Sequence, residues 1–289
     1  MDGAYSRLIP IGAERMHVRI WDADGPTVMI AHGVTGTSAD HTPLARNLRA
    51  RGFRVIAPDA PGCGRSDPSP DPENGYGLGT MAVTVRSFLD VVADGPVHWV
   101  GASKGGALGI RLAGETPERI ASLVLYDVGT TLPDAMRSVL GERLGGPPRF
   151  PNMGAFREHV GRFFERAGAT LSADRLDEIT IGWSRRLDDG GVGYHYDPAL
   201  SNQFRNNPED FALWPWWDRV ACPALIMRGE RSTVLSEAEL AEMAARNPRA
   251  AAHTVPGAVH VDMLDSAGMQ NTIIDFIMAQ GLSGEGVAA

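Results

Sequence analysis

The most informative stretch of this chain is Val97-His98-Trp99-Val100-Gly101-Ala102-Ser103-Lys104-Gly105-Gly106-Ala107-Leu108. Residues 96–100 are rich in β-branched and aromatic side chains and predict a short buried strand. From Gly105 onward, apolar residues recur at helical spacing and predict a helix. Ser103 therefore stands in a Gly-x-Ser-x-Gly motif where a strand turns into a helix. Gly101 and Gly105 fit such a tight turn because they carry no side chains, and the motif is typical of a nucleophile elbow.

Strands and helices alternate on both sides of this motif. Apolar strands are predicted at residues 27–31, 53–57 and 120–126, with helical patterns between them. Such alternation implies a parallel sheet with right-handed crossovers. The alternation stops after Asp127 and resumes at Ala224. The chain is therefore predicted to be an α/β protein with a long insertion.

The insertion divides the chain into two parts. We assign residues 1–130 and 216–289 to an α/β core and residues 131–215, which look helical and irregular, to a cap that folds over the sheet. A chain of 289 residues is long enough for this arrangement and for a large core.

Composition limits the location and the partners. The chain is 43% hydrophobic and 21% charged, which is ordinary for a soluble globular protein. Its net charge of -8, with no basic stripe, argues against nucleic acid or an anionic membrane as a partner. No run has transmembrane length, no signal-peptide pattern is present, and Cys63 and Cys222 do not have metal-ligand spacing. We expect a cytoplasmic protein with a small-molecule substrate and no cofactor or metal, and a homodimer is left open.

Four landmarks together resemble the α/β-hydrolase family, and the resemblance covers nearly the whole chain. They are His32-Gly33-Val34-Thr35-Gly36, the pattern Asp59-x-Pro61-Gly62-x-Gly64-x-Ser66, the motif around Ser103, and Gly257-Ala258-Val259-His260. The resemblance implies a mostly parallel, twisted sheet of eight strands flanked by helices, with a helical cap inserted after strand 6.

The resemblance also implies a catalytic serine and a catalytic histidine. Ser103 is the expected nucleophile, and a serine hydroxyl needs a neighbouring base at neutral pH. His260 is the expected base, because it follows a predicted strand at residues 251–255 and returns to the sheet edge beside Ser103. The backbone N–H groups of Val34 and Lys104 are expected to form the oxyanion hole. We expect the Lys104 side chain to pair with an acid at the pocket wall.

The acid departs from the usual pattern of the family. Most members carry an aspartate after the seventh strand, but here the expected position holds Ser232. Asp127, at the end of the sixth strand, is the preferred replacement, because a triad is defined by geometry and not by chain position. Glu230 is the alternative acid, and a site without an acid is the third interpretation.

Aromatic residues of the predicted cap are expected to shape the substrate pocket. The candidate pocket residues are Trp183, Tyr194, Trp214 and Trp216, and the run Trp214-Pro215-Trp216-Trp217 is also expected to pack the cap back onto the sheet. An apolar, partly aromatic pocket suits a moderately hydrophobic substrate. We therefore predict a carboxylesterase or lactonase that works through an acyl-enzyme. Two alternatives remain: hydrolysis of a C–C bond in a β-diketone-like substrate, and a hydrolase-fold receptor that turns over slowly or not at all.

Overall fold

The computed structural model describes residues 3–281, and its main sheet has eight strands. In chain order the strands are β1 (Tyr5–Ile11), β2 (Glu14–Trp21), β3 (Thr27–Ala31), β4 (Arg54–Pro58), β5 (Val97–Ala102), β6 (Ile120–Tyr126), β7 (Ser184–Arg186), β8 (Val192–Tyr194), β9 (Ala224–Gly229) and β10 (Ala250–Val255). The order in the sheet is β1-β2-β4-β3-β5-β6-β9-β10, and β7 and β8 form a separate hairpin.

Most of the sheet is parallel. Only β2 runs antiparallel to its neighbours β1 and β4, and the pairs from β4 through β3, β5, β6 and β9 to β10 are parallel. The central strands are buried on both faces, as parallel strands covered by helices must be. The predicted mostly parallel sheet of eight strands flanked by helices is confirmed.

Ten α-helices are assigned within residues 3–281. They are α1 (Thr42–Ala50), α2 (Leu78–Val92), α3 (Lys104–Glu115), α4 (Asp134–Gly145), α5 (Met153–Ala167), α6 (Ala173–Trp183), α7 (Gln203–Asn206), α8 (Trp214–Trp217), α9 (Glu237–Arg246) and α10 (Ala267–Gly281). Three short 3-10 turns lie at Pro117–Arg119, Pro198–Asn202 and Pro208–Phe211. None of the helices in this part of the chain is long and apolar enough to cross a bilayer.

Two apolar clusters cover the two faces of the sheet. One packs side chains of α2, α3 and α9 on the sheet, and the other packs α1 and α10 on the opposite face. Trp99 and Val100, which are adjacent on β5, belong to different clusters because side chains alternate across a strand. The elements on both sides of the nucleophile motif are thus anchored in the core.

Between β6 and β9 the chain leaves the sheet and forms α4 to α8 and the β7–β8 hairpin. We call residues 131–215 the cap segment. It has an apolar cluster of its own, which includes Phe156, Phe164 and Trp183 and also takes in Val259 from the loop after β10. The predicted boundary between residues 215 and 216 falls inside α8, whose Trp217 is buried in the core cluster.

One helix of the cap segment is shorter than its sequence pattern predicts. The pattern extends to Arg186, but α6 ends at Trp183 because Ser184–Arg186 pairs with Val192–Tyr194 as a hairpin. Gly190, at φ 83°, allows the turn between them. Residues 282–289, the end of the predicted core, lie outside the described residues.

Candidate active site

Ser103 stands at the turn between β5 and α3. Its backbone has φ 51° and ψ -120°, a conformation that is rare for residues other than glycine and costs about 1–3 kcal/mol. A Cβ atom on Gly101 would collide with the carbonyl of Gly105, and one on Gly105 would collide with the carbonyl of Ala31. Ser103 N–H donates to Tyr126 O at 3.0 Å, so β6 helps to hold the strained turn in place.

His260 lies in the loop after β10, and Asp127 orients its imidazole. Nδ1–H of His260 donates to Asp127 Oδ2 at 2.7 Å. Because a carboxylate only accepts, this bond places the imidazole proton on Nδ1 and leaves Nε2 as the proton acceptor. His260 and Ser103 line the same cavity. No hydrogen bond joins the two side chains within the described residues, and such bonds often tighten only when substrate is bound.

Two further donors hold the Asp127 carboxylate. Gly229 N–H donates to Oδ1 at 3.1 Å, and the Ser232 hydroxyl donates to Oδ2 at 2.6 Å. Ser232 Oγ accepts the N–H groups of residues 234 and 235 at 3.0 and 3.2 Å, so its own hydrogen is left for Asp127. Together with His260, these groups give the fully buried carboxylate three hydrogen-bond donors. The hydrogen bonds compensate the cost of burying its negative charge.

Asp127, and not Glu230, contacts the candidate base. The Asp127 backbone has φ 51°, and its N–H donates to Met227 O at 2.8 Å, so the chain turns sharply at the end of β6. Glu230 is exposed, and its Oε2 accepts Gly257 N–H at 2.7 Å. The alternative acid therefore braces the turn before the histidine loop and does not reach the imidazole.

The loop that carries His260 is fixed by hydrogen bonds at Val259. The hydroxyl of Tyr126, beside Asp127, donates to Val259 O at 2.6 Å. Asp262 accepts Val259 N–H at 2.7 Å. Burial, and then the nearby carboxylates of Asp262 and Asp127, raise the pKa of Tyr126, so its hydroxyl stays protonated and donating at neutral pH.

Two backbone amides are free to bind an oxyanion. Among the hydrogen bonds of residues 3–281, the N–H groups of Val34 and Lys104 have no acceptor, and both residues line the cavity with Ser103. Lys104 is the first residue of α3, where a helix leaves its N–H groups unpaired. His32 orders the loop of Val34: it accepts a backbone N–H at Nε2 (3.0 Å) and donates Nδ1–H to Gly33 O (2.6 Å).

A neighbouring loop, after β4, is fixed by Asp59. Its carboxylate accepts His17 Nδ1–H at 2.8 Å and the N–H groups of Ser38 and Arg65 at 2.5 and 2.8 Å. Burial alone would raise its pKa, but these hydrogen bonds outweigh burial and lower the pKa of Asp59 to about 2. Asp59 therefore ties two loops beside the site together as a stable anion.

The Lys104 side chain differs from expectation. Its Nζ donates to Tyr76 O at 3.1 Å, and it forms no ion pair with a carboxylate in the described part of the chain. Burial lowers the pKa of Lys104 to about 8, against the opposing effects of Cys63 and Asp210. The ammonium is therefore mostly charged at pH 7, and a backbone carbonyl takes the place of the expected acid.

A cavity of about 820 Å³ lies over the candidate residues and is lined by both the core and the cap segment. Its wall is largely apolar, and Asp40 is its only carboxylate among the described residues. Aromatic residues supply much of the cap side; those that line it are Phe163, Phe164, Trp183, Tyr194, Tyr196, Phe204 and Phe211. A cavity of this size and polarity is suited to a small, mainly hydrophobic ligand.

The structure separates the four predicted pocket residues into two pairs. Trp183 and Tyr194 line the cavity, whereas Trp214 and Trp216 do not. These two residues belong to α8, which packs against α3. The Trp214 ring lies 4.2 Å from the guanidinium of Arg246, and the Trp216 ring packs against the core cluster. The prediction that Trp214 and Trp216 line the pocket is therefore wrong, because both residues lie on a helix that covers the core.

Two polar residues of the site escaped the sequence interpretation. Ser232 had a signal, because it occupies the place where the family usually carries its acid, and it now donates to the acid that replaces it. Asp40 had none: it accepts Trp183 Nε1–H at 3.0 Å and the Thr37 hydroxyl at 3.1 Å, contacts that only the folded chain creates.

Comparison with known proteins agrees with this architecture. A 3-hydroxybutyrate-oligomer hydrolase of Cupriavidus necator is 30% identical over 270 residues, which cover 87% of this chain and 88% of that protein. A 2-(acetamidomethylene)succinate hydrolase of Mesorhizobium japonicum is 29% identical and covers 90% of each chain. The crystal structure of an E-2-(acetamidomethylene)succinate hydrolase superposes with a TM-score of 0.83 at 27% identity, over 95% of this chain and 99% of that chain.

A sequence profile described as the alpha/beta hydrolase fold matches residues 26–267. This span begins just before β3 and ends at the start of α10, so it contains Ser103, Asp127 and His260. The strand order, the strained serine at the strand-to-helix turn and the relatives all agree with that match. The chain belongs to the α/β-hydrolase-fold family.

Proposed function

We propose that this protein is a serine hydrolase that cleaves a carboxylic ester or lactone of a moderately hydrophobic small molecule through an acyl-enzyme. The observation that carries the proposal is the 2.7 Å hydrogen bond from His260 to the buried Asp127, in the cavity that Ser103 also lines. An imidazole held by a carboxylate next to a serine at a strained turn is suited to nucleophilic acyl transfer.

In the first step, Ser103 Oγ attacks the ester carbonyl and Nε2 of His260 takes the hydroxyl proton. Asp127 holds Nδ1–H and stabilises the imidazolium that forms, while itself remaining ionised. The free N–H groups of Val34 and Lys104 bind the developing oxyanion. When the tetrahedral intermediate collapses, the C–O bond to the alcohol breaks and His260 returns the proton to the leaving oxygen.

In the second step, water enters and His260 takes one of its protons. The hydroxide attacks the acyl carbonyl, the bond to Ser103 Oγ breaks, and the proton returns to the serine. The carboxylic acid leaves, and a lactone would give a hydroxy acid by the same two steps. The fixed loop around Val259 keeps the imidazole in place for both steps.

The choice of an ester is supported by the cavity and by one relative. The wall is mostly apolar and aromatic, which suits a hydrophobic acyl or alcohol group. The Cupriavidus necator relative is named for oligomers of 3-hydroxybutyrate, whose units are joined through hydroxyl and carboxyl groups and hence by ester bonds. We extend that bond type, and not that substrate, to this chain.

A fluorophosphonate probe, followed by a substrate panel, tests the proposal. The wild-type protein should be labelled at Ser103, the Ser103→Ala variant should not, and wild-type protein should hydrolyse members of an ester and lactone panel. Labelling without turnover of any ester or lactone would contradict the proposal. Turnover of β-diketones alone would favour C–C bond hydrolysis, and the absence of both labelling and turnover would favour a receptor.

A further inference from the structure

The cavity carries more positive than negative charge, although the chain as a whole is acidic. Its charged lining residues are Asp40, Lys104, Arg143 and Arg166, which are three cations and one anion. The whole chain, by contrast, has a net charge of -8. Lys104 belongs to the core wall beside Ser103, whereas Arg143 and Arg166 belong to α4 and α5 of the cap segment.

Neither arginine has an acidic partner. Across residues 3–281, the side chains of Arg143 and Arg166 form no ion pair and no hydrogen bond, and both residues are exposed. The contrast within α5 is informative, because Arg162, one turn before Arg166, pairs with Glu158. Arg143 and Arg166 therefore line the cavity with donors that remain available to a ligand.

The guanidinium of Arg143 is also held against the cavity wall. Its Cζ lies 5.0 Å from the ring centroid of Phe163, which lines the cavity as well. This cation–π contact restricts the side chain without using its N–H donors. His159 lines the same region; burial lowers its pKa, and Arg162, Arg143 and Arg166 lower it further, so these cations lie close enough to act on one imidazole.

A simpler explanation covers only part of this arrangement. Arg143 and Arg166 lie in the last turns of α4 and α5, where a cation stabilises the helix dipole. That effect would be served equally by arginines that point away from the cavity. It does not account for two unpaired guanidinium groups on the wall of one apolar cavity.

We infer that Arg143 and Arg166 bind a carboxylate of the substrate, so that the preferred substrates are anionic esters whose acyl or alcohol part ends in a carboxylate. This inference rests on the proposed ester hydrolysis at Ser103. Arginine suits the task, because its planar fork matches a carboxylate with two parallel hydrogen bonds. The apolar wall between Ser103 and the two arginines would contact the hydrocarbon part of such a substrate. The positive lining also raises the local concentration of anions.

Matched ester pairs test the inference. The monoethyl esters of succinate, adipate and suberate are compared with ethyl butanoate, hexanoate and octanoate, so that each pair differs by a terminal carboxylate at equal acyl length. We expect the charged ester of at least one length to have a kcat/KM about tenfold or more above its neutral partner. The preference should arise in KM and should shrink in high salt.

Variants locate the preference. Arg143→Gln and Arg166→Gln should each reduce the charged-to-neutral ratio of kcat/KM severalfold, and the double variant should bring it to about one or below. Arg162→Gln is the matched control, because Arg162 lies on the same helix, is paired with Glu158 and does not line the cavity. The neutral esters report on folding in every variant, and the ratio is therefore the measured quantity.

Each outcome decides a separate question. Hydrolysis of neutral esters without a charged preference at any length, or a preference that survives in the double variant, overturns this inference and leaves the proposed function standing. If neither series is hydrolysed, the ester and lactone panel decides the proposed function, and calorimetry with adipate separately decides whether Arg143 and Arg166 bind a carboxylate. Adipate binding that the double variant loses supports it, whereas equal binding or none overturns it.

Discussion

The two walls of the cavity are built in different ways. On the core wall, Ser103 and Asp127 stand directly after β5 and β6, and His260 lies in the loop after β10 of the same sheet. Hydrogen bonds fix the backbone at or next to each of the three residues. On the cap wall, the lining residues come from helices, from a hairpin of two three-residue strands and from the loops between them, and they present aliphatic, aromatic and arginine side chains to the cavity. The first wall fixes reacting groups, and the second supplies shape and charge.

This difference implies that substitutions on the two walls should change different kinetic constants. Substitutions on the core wall should act on kcat, because they disturb groups that change charge in the transition state. Substitutions on the cap wall should act on KM, because they disturb contacts that the bound substrate and the transition state share.

The largest effect is expected for Asp127→Asn. The amide can no longer stabilise an imidazolium and favours the wrong tautomer of His260, so kcat should fall about 10⁴-fold. Steady-state kinetics on an ester from the panel measures this. Glu230→Gln is the control and should stay close to wild type, since Glu230 binds Gly257 N–H and not the imidazole. The reverse result would transfer the role of acid to Glu230.

A smaller loss on the same wall is expected for Ser232→Ala. It removes one of three donors to a buried carboxylate, and hydrogen bonds to charged groups contribute about 1.5–3 kcal/mol, so kcat should fall roughly 10- to 100-fold with little change in KM. Ser232→Thr keeps the hydroxyl and should recover most of the rate. A loss of thermal stability without a loss of kcat would show that Ser232 only supports the fold.

On the cap wall, Trp183→Phe should change KM and spare kcat. Phenylalanine keeps most of the aromatic surface but removes the hydrogen bond that fixes the ring against Asp40. The substrate and the transition state share the loosened wall, so we expect a rise in KM of roughly two- to tenfold. Trp214→Phe is the matched control, because Trp214 does not line the cavity, and its KM should be unchanged. A drop in kcat alone for Trp183→Phe would abolish the distinction between the walls.

The smallest effect concerns stability and Lys104. The pKa of Lys104 is about 8 in the folded chain and near 10.4 in the unfolded chain. Between these pH values the unfolded chain binds more protons, so the free energy of unfolding of the wild type rises with pH. Lys104→Met should therefore be more stable than wild type at pH 7. That advantage should decline between pH 8 and 10.5, by on the order of 1 kcal/mol for this half-buried group. Urea denaturation at several pH values measures it, and a difference independent of pH would contradict the buried-ammonium explanation.

The core was predictable because its motifs describe backbone geometry. Gly101 and Gly105 are required by the collisions that a Cβ atom would make, so the Gly-x-Ser-x-Gly pattern predicts the turn itself. Apolar strand patterns likewise predicted a parallel sheet, because runs of apolar residues are typical of strands buried on both faces. The choice of Asp127 over Glu230 followed from its place at the end of the strand next to β5.

The cap was less predictable because its contacts depend on packing between segments far apart in sequence. The run at residues 214–217 allowed two expectations, a pocket wall and packing of the cap onto the sheet, and α8 packs Trp214 and Trp216 against the core cluster. The hairpin at Ser184–Arg186 replaced the end of a predicted helix because pairing with β8 outweighs local helix propensity. Arg143 and Arg166 belong to no sequence motif. They were identified because they line the cavity without an acidic partner among the described residues, which only the folded structure reveals.

The hydrogen bond between Ser232 and Asp127 also bears on how such an active site evolves. The two side chains meet at 2.6 Å; Asp127 directly follows β6, and Ser232 holds the place of the usual acid after β9. A lineage could therefore move its carboxylate between strands by two substitutions at touching positions. The intermediate with an aspartate at both positions keeps an acid throughout, at the cost of like-charge repulsion that one protonation relieves. Neighbouring residues thus offer a short mutational route between two positions for the acid of the proposed triad.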